Sequence, residues 1–192
     1  MINPEDALKI LLEGNKRFAQ HKSIHPNRCN ETRQSLLTGQ KPIAVVISCS
    51  DSRVPTEIVF DAGLGDIFAI RTAGHVLSKE VMGSIEYAIS LGCKLVMILG
   101  HENCGAIKAA LKSYKTKKEV SPNLQSVLNH IYPAFEKISS DADENCAVKA
   151  NIEYQVQDLL KKDECIAEKF SKKEILVTGA IYNLSTGLVS LI

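Results

Sequence analysis

The sequence predicts one α/β domain, residues 1–192, with a mainly parallel central sheet flanked by helices. Three observations carry that expectation. Short apolar runs rich in β-branched residues recur along the chain, too brief for helices and lacking the polar alternation of a half-exposed strand. Stretches with helical apolar spacing lie between them. The 192 residues, 45% apolar and 23% charged, suit a single globular core and exclude global disorder or a fibre.

Each element follows in turn. Asn3 is a candidate N-cap and Pro4 suits a first helical position, so a helix is expected over 3–20. Its apolar residues at 7, 8, 11, 12 and 18 define one face, to be buried against something outside the helix. A short second helix is expected over 31–38, stopped by Gly39. The first strand is Ile43–Ser48, the second Ile67–Arg71 and the third Lys94–Leu99, with helices near 55–60 and 79–91 between them. Another helix is expected over 106–111. Residues 112–173 read as charged and helical. Within them Lys112, Lys115, Lys117 and Lys118 read as a solvated loop, and Asp141, Asp143 and Glu144 as a helix start whose dipole they complement. Residues 174–182 supply a fourth strand and Gly187–Ile192 a last one, joined by a turn at Asn183–Thr186.

Charge narrows the partners. Lys plus Arg is 23 against 22 for Asp plus Glu, a net charge of +1. Nothing in that balance favours nucleic acid or an anionic membrane. The longest apolar runs, Ile43–Ile47 and Leu95–Leu99, are five residues each, against roughly 20 for a spanning helix. The N-terminal residues lack the pattern of a signal peptide. Six cysteines in such a chain are expected to be reduced thiols of a cytoplasmic protein.

Ligands of open α/β sheets bind beyond the carboxyl ends of strands. The first strand runs into Cys49-Ser-Asp-Ser-Arg53 and the third into Gly100-His-Glu-Asn-Cys-Gly-Ala106. His101 and Cys104, three apart, can face one side of a turn or helix start. If the two strands are neighbours, Cys49 completes a set of two thiolates and an imidazole. That set suits zinc far better than magnesium or calcium. Three protein ligands with one open position describe catalytic zinc, which can lower the pKa of bound water to about 7. Asp51 and Arg53 share the first loop. A carboxylate held by an Arg fork stays ionised and fixed in direction, able to orient a zinc-bound hydroxide. Released from its Arg, Asp51 could instead bind the metal and block it. Cys29, Cys93, Cys146 and Cys165 lack such spacing and read as core or surface thiols. His21, His25 and His130 read as surface histidines.

At these residues the chain resembles the β-class carbonic anhydrases. The resemblance runs over roughly 3–192 and is densest from 40 to 106. Beyond the two loops it rests on Asp61-Ala-Gly-Leu-Gly-Asp-Ile-Phe68, Ser84-Ile-Glu-Tyr-Ala88, Thr178-Gly-Ala-Ile-Tyr182 and Leu11-Leu-Glu-Gly-Asn-Lys-Arg-Phe18. It implies reversible hydration of carbon dioxide to bicarbonate and a proton. It implies one zinc per subunit on Cys49, His101 and Cys104, with Asp51 and Arg53 as the catalytic dyad. It implies a homodimer or dimer of dimers, the N-terminal helix lying on the partner subunit, and a cleft lined by Gln40, Phe68, Tyr87 and Gly105, some of them from the partner. One branch of the family lets the aspartate displace water from zinc and uses a Trp-containing bicarbonate site. This chain has no Trp and has Gln40, which places it with the permanently open branch. The family's usual Arg-Asn-x-(Ala or Gly)-Asn is here Arg71-Thr-Ala-Gly-His75. Thr72 and His75 thus replace two Asn at the cleft edge, His75 as a hydrogen-bonding group or, alternatively, a proton carrier. The same zinc site could also hydrolyse carbonyl sulfide or carbon disulfide, or serve a non-catalytic zinc protein.

Overall fold

The computed structural model describes residues 2–139 and 141–192. Five strands form one sheet in the order β2-β1-β3-β4-β5. They are β1 (Ala44–Cys49), β2 (Ile67–Thr72), β3 (Leu95–His101), β4 (Leu176–Tyr182) and β5 (Val189–Leu191). The first four are parallel, as the buried apolar runs require. β5 is antiparallel to β4 because only a short turn joins them. In that turn the Asn183 carboxamide oxygen accepts from the Ser185 and Thr186 amides, at 3.0 and 2.7 Å.

The helices are α1 (Pro4–Ala19), α2 (Asn30–Ser35), α3 (Thr56–Val59), α4 (Lys79–Ser90), α5 (Gly105–Thr116), α6 (Pro122–Ile131), α7 (Glu144–Lys162) and α8 (Glu164–Ser171). Alternate strand residues point to opposite faces. Val45, Ile47, Val96 and Ile98 join α4 to α8 in one core, while Ala44, Val46, Leu95 and Met97 join α1 and α3 in the other. Among the described residues no helix is long and apolar enough to cross a membrane.

α1 buries Ala7, Leu11, Gly14 and Asn15 within its own chain. Asn15 ties it there: its amide donates to Val59 O at 3.1 Å and Gly187 O at 2.8 Å, and its oxygen accepts from Val189 N at 2.8 Å. Of the apolar stripe read from the sequence, Ala7 and Leu11 are buried within the chain, while Leu8, Leu12 and Phe18 are only partly buried. Of the lysine run expected as a loop, Lys117 and Lys118 do lie in one, but Lys112 and Lys115 do not. α5 continues through Lys112 and Lys115 to Thr116, and the chain turns only at left-handed Lys117. Lysine is a good helix former, and no Gly or Pro interrupts the stretch.

The end of α1 is latched by Asp61. Its buried carboxylate accepts from Arg17 Nε at 2.7 Å and from the Ile24 and His25 amides at 3.0 Å each. Burial pushes this carboxyl up, but the Ile24 amide, the Arg17 guanidinium and the His25 amide outweigh it, leaving it below the usual 3.8. Removing an acceptor from charged and amide donors costs about 2–3 kcal/mol. Asp61→Ala is expected to lose that much in urea unfolding near neutral pH; a loss under about 0.5 kcal/mol would show that the latch contributes little. Since the folded-state value is depressed, this stabilisation is complete above the unfolded value and is lost as pH falls through the folded one.

Candidate metal centre

The chain leaves β1 for β2 on one side, then returns to form β3 on the other side of β1. That reversal opens a crevice at the carboxyl ends of β1 and β3, where doubly wound sheets bind ligands. Cys49 ends β1, His101 ends β3, and Cys104 stands immediately before α5. All three are buried, and one ligand atom from each lies within 4.8 Å of the others.

The donor set suits zinc on three counts. The two sulfurs are 3.8 Å apart, the edge of a tetrahedron with Zn–S bonds of about 2.3 Å. His101 Nδ1 lies 2.8 Å from Glu102 O. A carbonyl can only accept, so Nδ1 carries the proton and Nε2 keeps a free lone pair. That Nε2 is buried and, among the described residues, has no hydrogen-bond partner. The two cysteines share one proton. Cys104 hydrogen-bonds the Cys49 sulfur and pulls the Cys49 thiol well below its ordinary value against the effect of burial. His101 and the amides of Gly74 and Asp51 add to that pull. Cys104, beside the Cys49 thiolate and itself buried, is pushed up. A metal bound here must displace that proton.

Asp51 and Arg53 form a closed fork. Asp51 Oδ1 accepts from Arg53 N and Nε, both at 2.9 Å, and Oδ2 accepts from Nη2 at 2.8 Å. These bonds hold the Asp51 carboxyl well below the usual carboxylate range. Oδ2 lies 3.8 Å from His101 Nε2, so the carboxylate faces the ligand group while standing outside it. Sequence reasoning missed the clamp on this loop. Arg71 at the end of β2 donates to Cys49 O at 3.2 Å and Asp51 O at 2.6 Å. It missed Glu102 as well, whose carboxylate accepts from Asn183 Nδ2 at 2.6 Å and ties the His101 loop to the β4–β5 turn.

The other expected cleft residues separate. Gly105 opens α5 next to Cys104. Phe68 lies in register with Val45, four residues before Cys49, or about 13 Å along the strand. Tyr87 packs edge-on against Phe68, ring centroids 6.1 Å apart, and is 55% exposed. Gln40 is exposed ahead of the amino end of β1. Within one chain, Phe68 and its partner Tyr87 are therefore a surface feature distant from the Cys49 cluster.

His75 corrects the cleft-edge reading. It is fully buried, and burial pushes its ring down to about 4. Sealed from solvent and neutral near pH 7, it is poorly placed to exchange protons with buffer. It does serve as a hydrogen-bonding group, but inward, to Asn151. Thr72 bonds along its own segment, its hydroxyl donating to Val76 O at 3.1 Å.

The sequence profile of the family described as carbonic anhydrase matches residues 44–189. Carbonic anhydrase 2 of Mycobacterium tuberculosis is 37% identical over 190 residues, covering 96% of this chain and 91% of that protein. Among solved structures, the β-carbonic anhydrase CcaA superposes with a TM-score of 0.75 at 26% identity, covering 96% of this chain and 94% of that one. One of two tetrameric β-carbonic anhydrases from Sordaria macrospora shares the fold, with a TM-score of 0.72 at 21% identity and 97% coverage of both chains.

Proposed function

This chain belongs to the carbonic anhydrase family, and within it to the β class, and on that premise we propose how its site works. It hydrates carbon dioxide reversibly to bicarbonate and a proton. One zinc ion per subunit is held by Cys49, His101 and Cys104, and Asp51 and Arg53 are the catalytic pair. The observation that carries this reading is the buried, unpartnered Nε2 of His101 facing two sulfurs 3.8 Å apart, with a fork-held carboxylate at the edge.

Zinc held by these three residues would supply Lewis acidity, which lowers the pKa of bound water to about 7. The protein's own groups do the rest. Asp51 Oδ2 accepts the hydrogen bond of the attacking oxygen, so that a lone pair faces the carbon of CO2. Arg53 keeps Asp51 ionised and aimed, which leaves it a hydrogen-bond acceptor near neutral pH. The half-exposed guanidinium at the mouth also attracts bicarbonate electrostatically. The Gly105 amide at the start of α5 offers a backbone donor toward an anionic product. With Asp51 engaged by Arg53 on both oxygens, the arrangement favours the open form over one in which Asp51 is the fourth ligand. Phe68, Tyr87 and Gln40, far from their own cluster, serve the cleft of a partner in a homodimer or dimer of dimers.

The test is stopped-flow CO2 hydration on purified protein with its metal content measured. One zinc per chain is expected, with activity lost on chelation and restored by zinc, and no comparable sulfide release from carbonyl sulfide. Full activity in metal-free protein would contradict the reading.

A further inference from the structure

We propose that Asn183, in the turn between β4 and β5, is a positioning residue for the metal centre. Through the Glu102 side chain it fixes the carbonyl that orients the His101 ring. This deepens the reading above and rests on it. A chain of hydrogen bonds runs from the turn to the ring. His101 Nδ1 lies 2.8 Å from Glu102 O, so the place of that carbonyl decides where Nε2 points. Glu102 is itself held twice by the end of β4. Its N–H donates to Tyr182 O at 3.2 Å, and its Oε1 accepts from Asn183 Nδ2 at 2.6 Å. The second bond joins an amide to a carboxylate, and such charge-assisted bonds are about twice as strong as neutral ones.

The turn sets the direction of the Asn183 carboxamide. Its Oδ1 accepts from the Ser185 and Thr186 amides at 3.0 and 2.7 Å and from their hydroxyls at 2.8 and 2.9 Å. An oxygen so engaged leaves Nδ2 to face Glu102, where it can only donate. The turn is anchored in its own right. Asn183 N donates to Leu188 O at 2.8 Å, and Gly187 N donates to Asn183 O at 2.9 Å. Gly187 is left-handed, with φ of 74°, and its carbonyl accepts from the buried Asn15 of α1 at 2.8 Å. Asn183 therefore stands on a rigid base. The loop it holds is tight: only Glu102 and Asn103 separate the ligands His101 and Cys104. Asn103 is left-handed, with φ of 52°, and its carbonyl accepts from Arg53 Nη2 at 3.3 Å. Arg53 thus steadies one residue of the loop and Asn183 the other. Without the Asn183 bond, Glu102 can tilt about its backbone and carry the acceptor of His101 with it.

Partners that orient a metal ligand from outside are worth roughly 10–100-fold in metal affinity. Asn183→Asp keeps the oxygen that caps the turn and puts a carboxylate oxygen where Nδ2 faced Glu102. Its zinc affinity, measured by competition with a chromophoric chelator, is expected to fall by about 10-fold. An added negative charge alone would strengthen cation binding, so a loss reports geometry. The cobalt-substituted form is expected to show shifted ligand-field bands. Adding Glu102→Gln turns the pair round, because the new amide can donate to the new carboxylate. The double variant is expected to recover most of the affinity and the wild-type bands. A merely structural role would lower the melting temperature and leave the bands in place. Unchanged affinity and bands in Asn183→Asp would overturn the proposal, and so would a loss that Glu102→Gln does not repair. If Asn183→Asp does not fold, Glu102→Ala and Glu102→Gln carry the test. The first is expected to lose about 10-fold in affinity, while the second keeps an acceptor and stays near wild type; equal affinities would overturn the proposal. Failure of the wild-type protein to bind zinc or cobalt would instead sink the functional reading on which this inference rests.

Discussion

Cys49→Ser and Cys104→Ser are each expected to lose the metal and with it essentially all CO2 hydration. A neutral hydroxyl is a poor zinc ligand beside a thiolate. Replacing a ligand outright should exceed the roughly 10–100-fold loss of affinity that follows from disturbing its surroundings. The fold should survive, because both residues sit at strand or helix ends whose neighbouring core is apolar and continuous. The check is zinc per chain together with circular dichroism. Metal-free, folded, inactive protein is expected; a zinc-loaded and active Cys49→Ser protein would remove this residue from the ligand set. Binding displaces the proton shared by the two sulfurs, so wild-type zinc affinity should fall as pH is lowered.

Asp51→Ala and Arg53→Ala are expected to show the opposite separation, with zinc retained and turnover lost. Removing one preorganised group that acts in the transition state typically costs about 10²–10³ in kcat. Asp51→Ala removes the acceptor that aims the attacking oxygen. Arg53→Ala leaves the carboxylate but frees it from a fork of three bonds at 2.8–2.9 Å, letting it turn toward the ligand group 3.8 Å away. The two variants should therefore differ in kind. Activity of Arg53→Ala should depend on keeping Asp51 off the metal, whereas Asp51→Ala should be uniformly slow. Stopped-flow kinetics with parallel zinc analysis measures both. Wild-type turnover in either would show that the fork is only a surface ion pair.

The residues legible in the sequence were those carried by short contiguous strings. Cys49, Asp51 and Arg53 lie within five positions, His101 and Cys104 within four, and each string directly follows an apolar β-branched run. Strand β3 was read two residues short because Gly100 and His101 look like loop residues in isolation. In the fold they extend the ladder opposite Ile181 and Tyr182 of β4. What stayed hidden was long-range hydrogen bonding. Asn151 grips residues 74 and 75 across more than 70 positions. The one local sign of it was a pair of polar residues, Asn151 and Gln155, one turn apart on the apolar face of α7. Arg71 was noticed as part of a motif, but its grip on the carbonyls of Cys49 and Asp51 depends on strand order. The contacts of α1 follow the same logic. Periodicity reveals that a face is apolar and says nothing about which surface covers it.

X-ray absorption at the zinc edge of the purified, zinc-loaded enzyme tests the central claim most directly. Two sulfurs at about 2.3 Å, one imidazole nitrogen near 2.0 Å and one further light atom are expected. Four sulfurs, a shell of oxygens, or the same spectrum from a Cys49→Ser, Cys104→Ser double variant would contradict it.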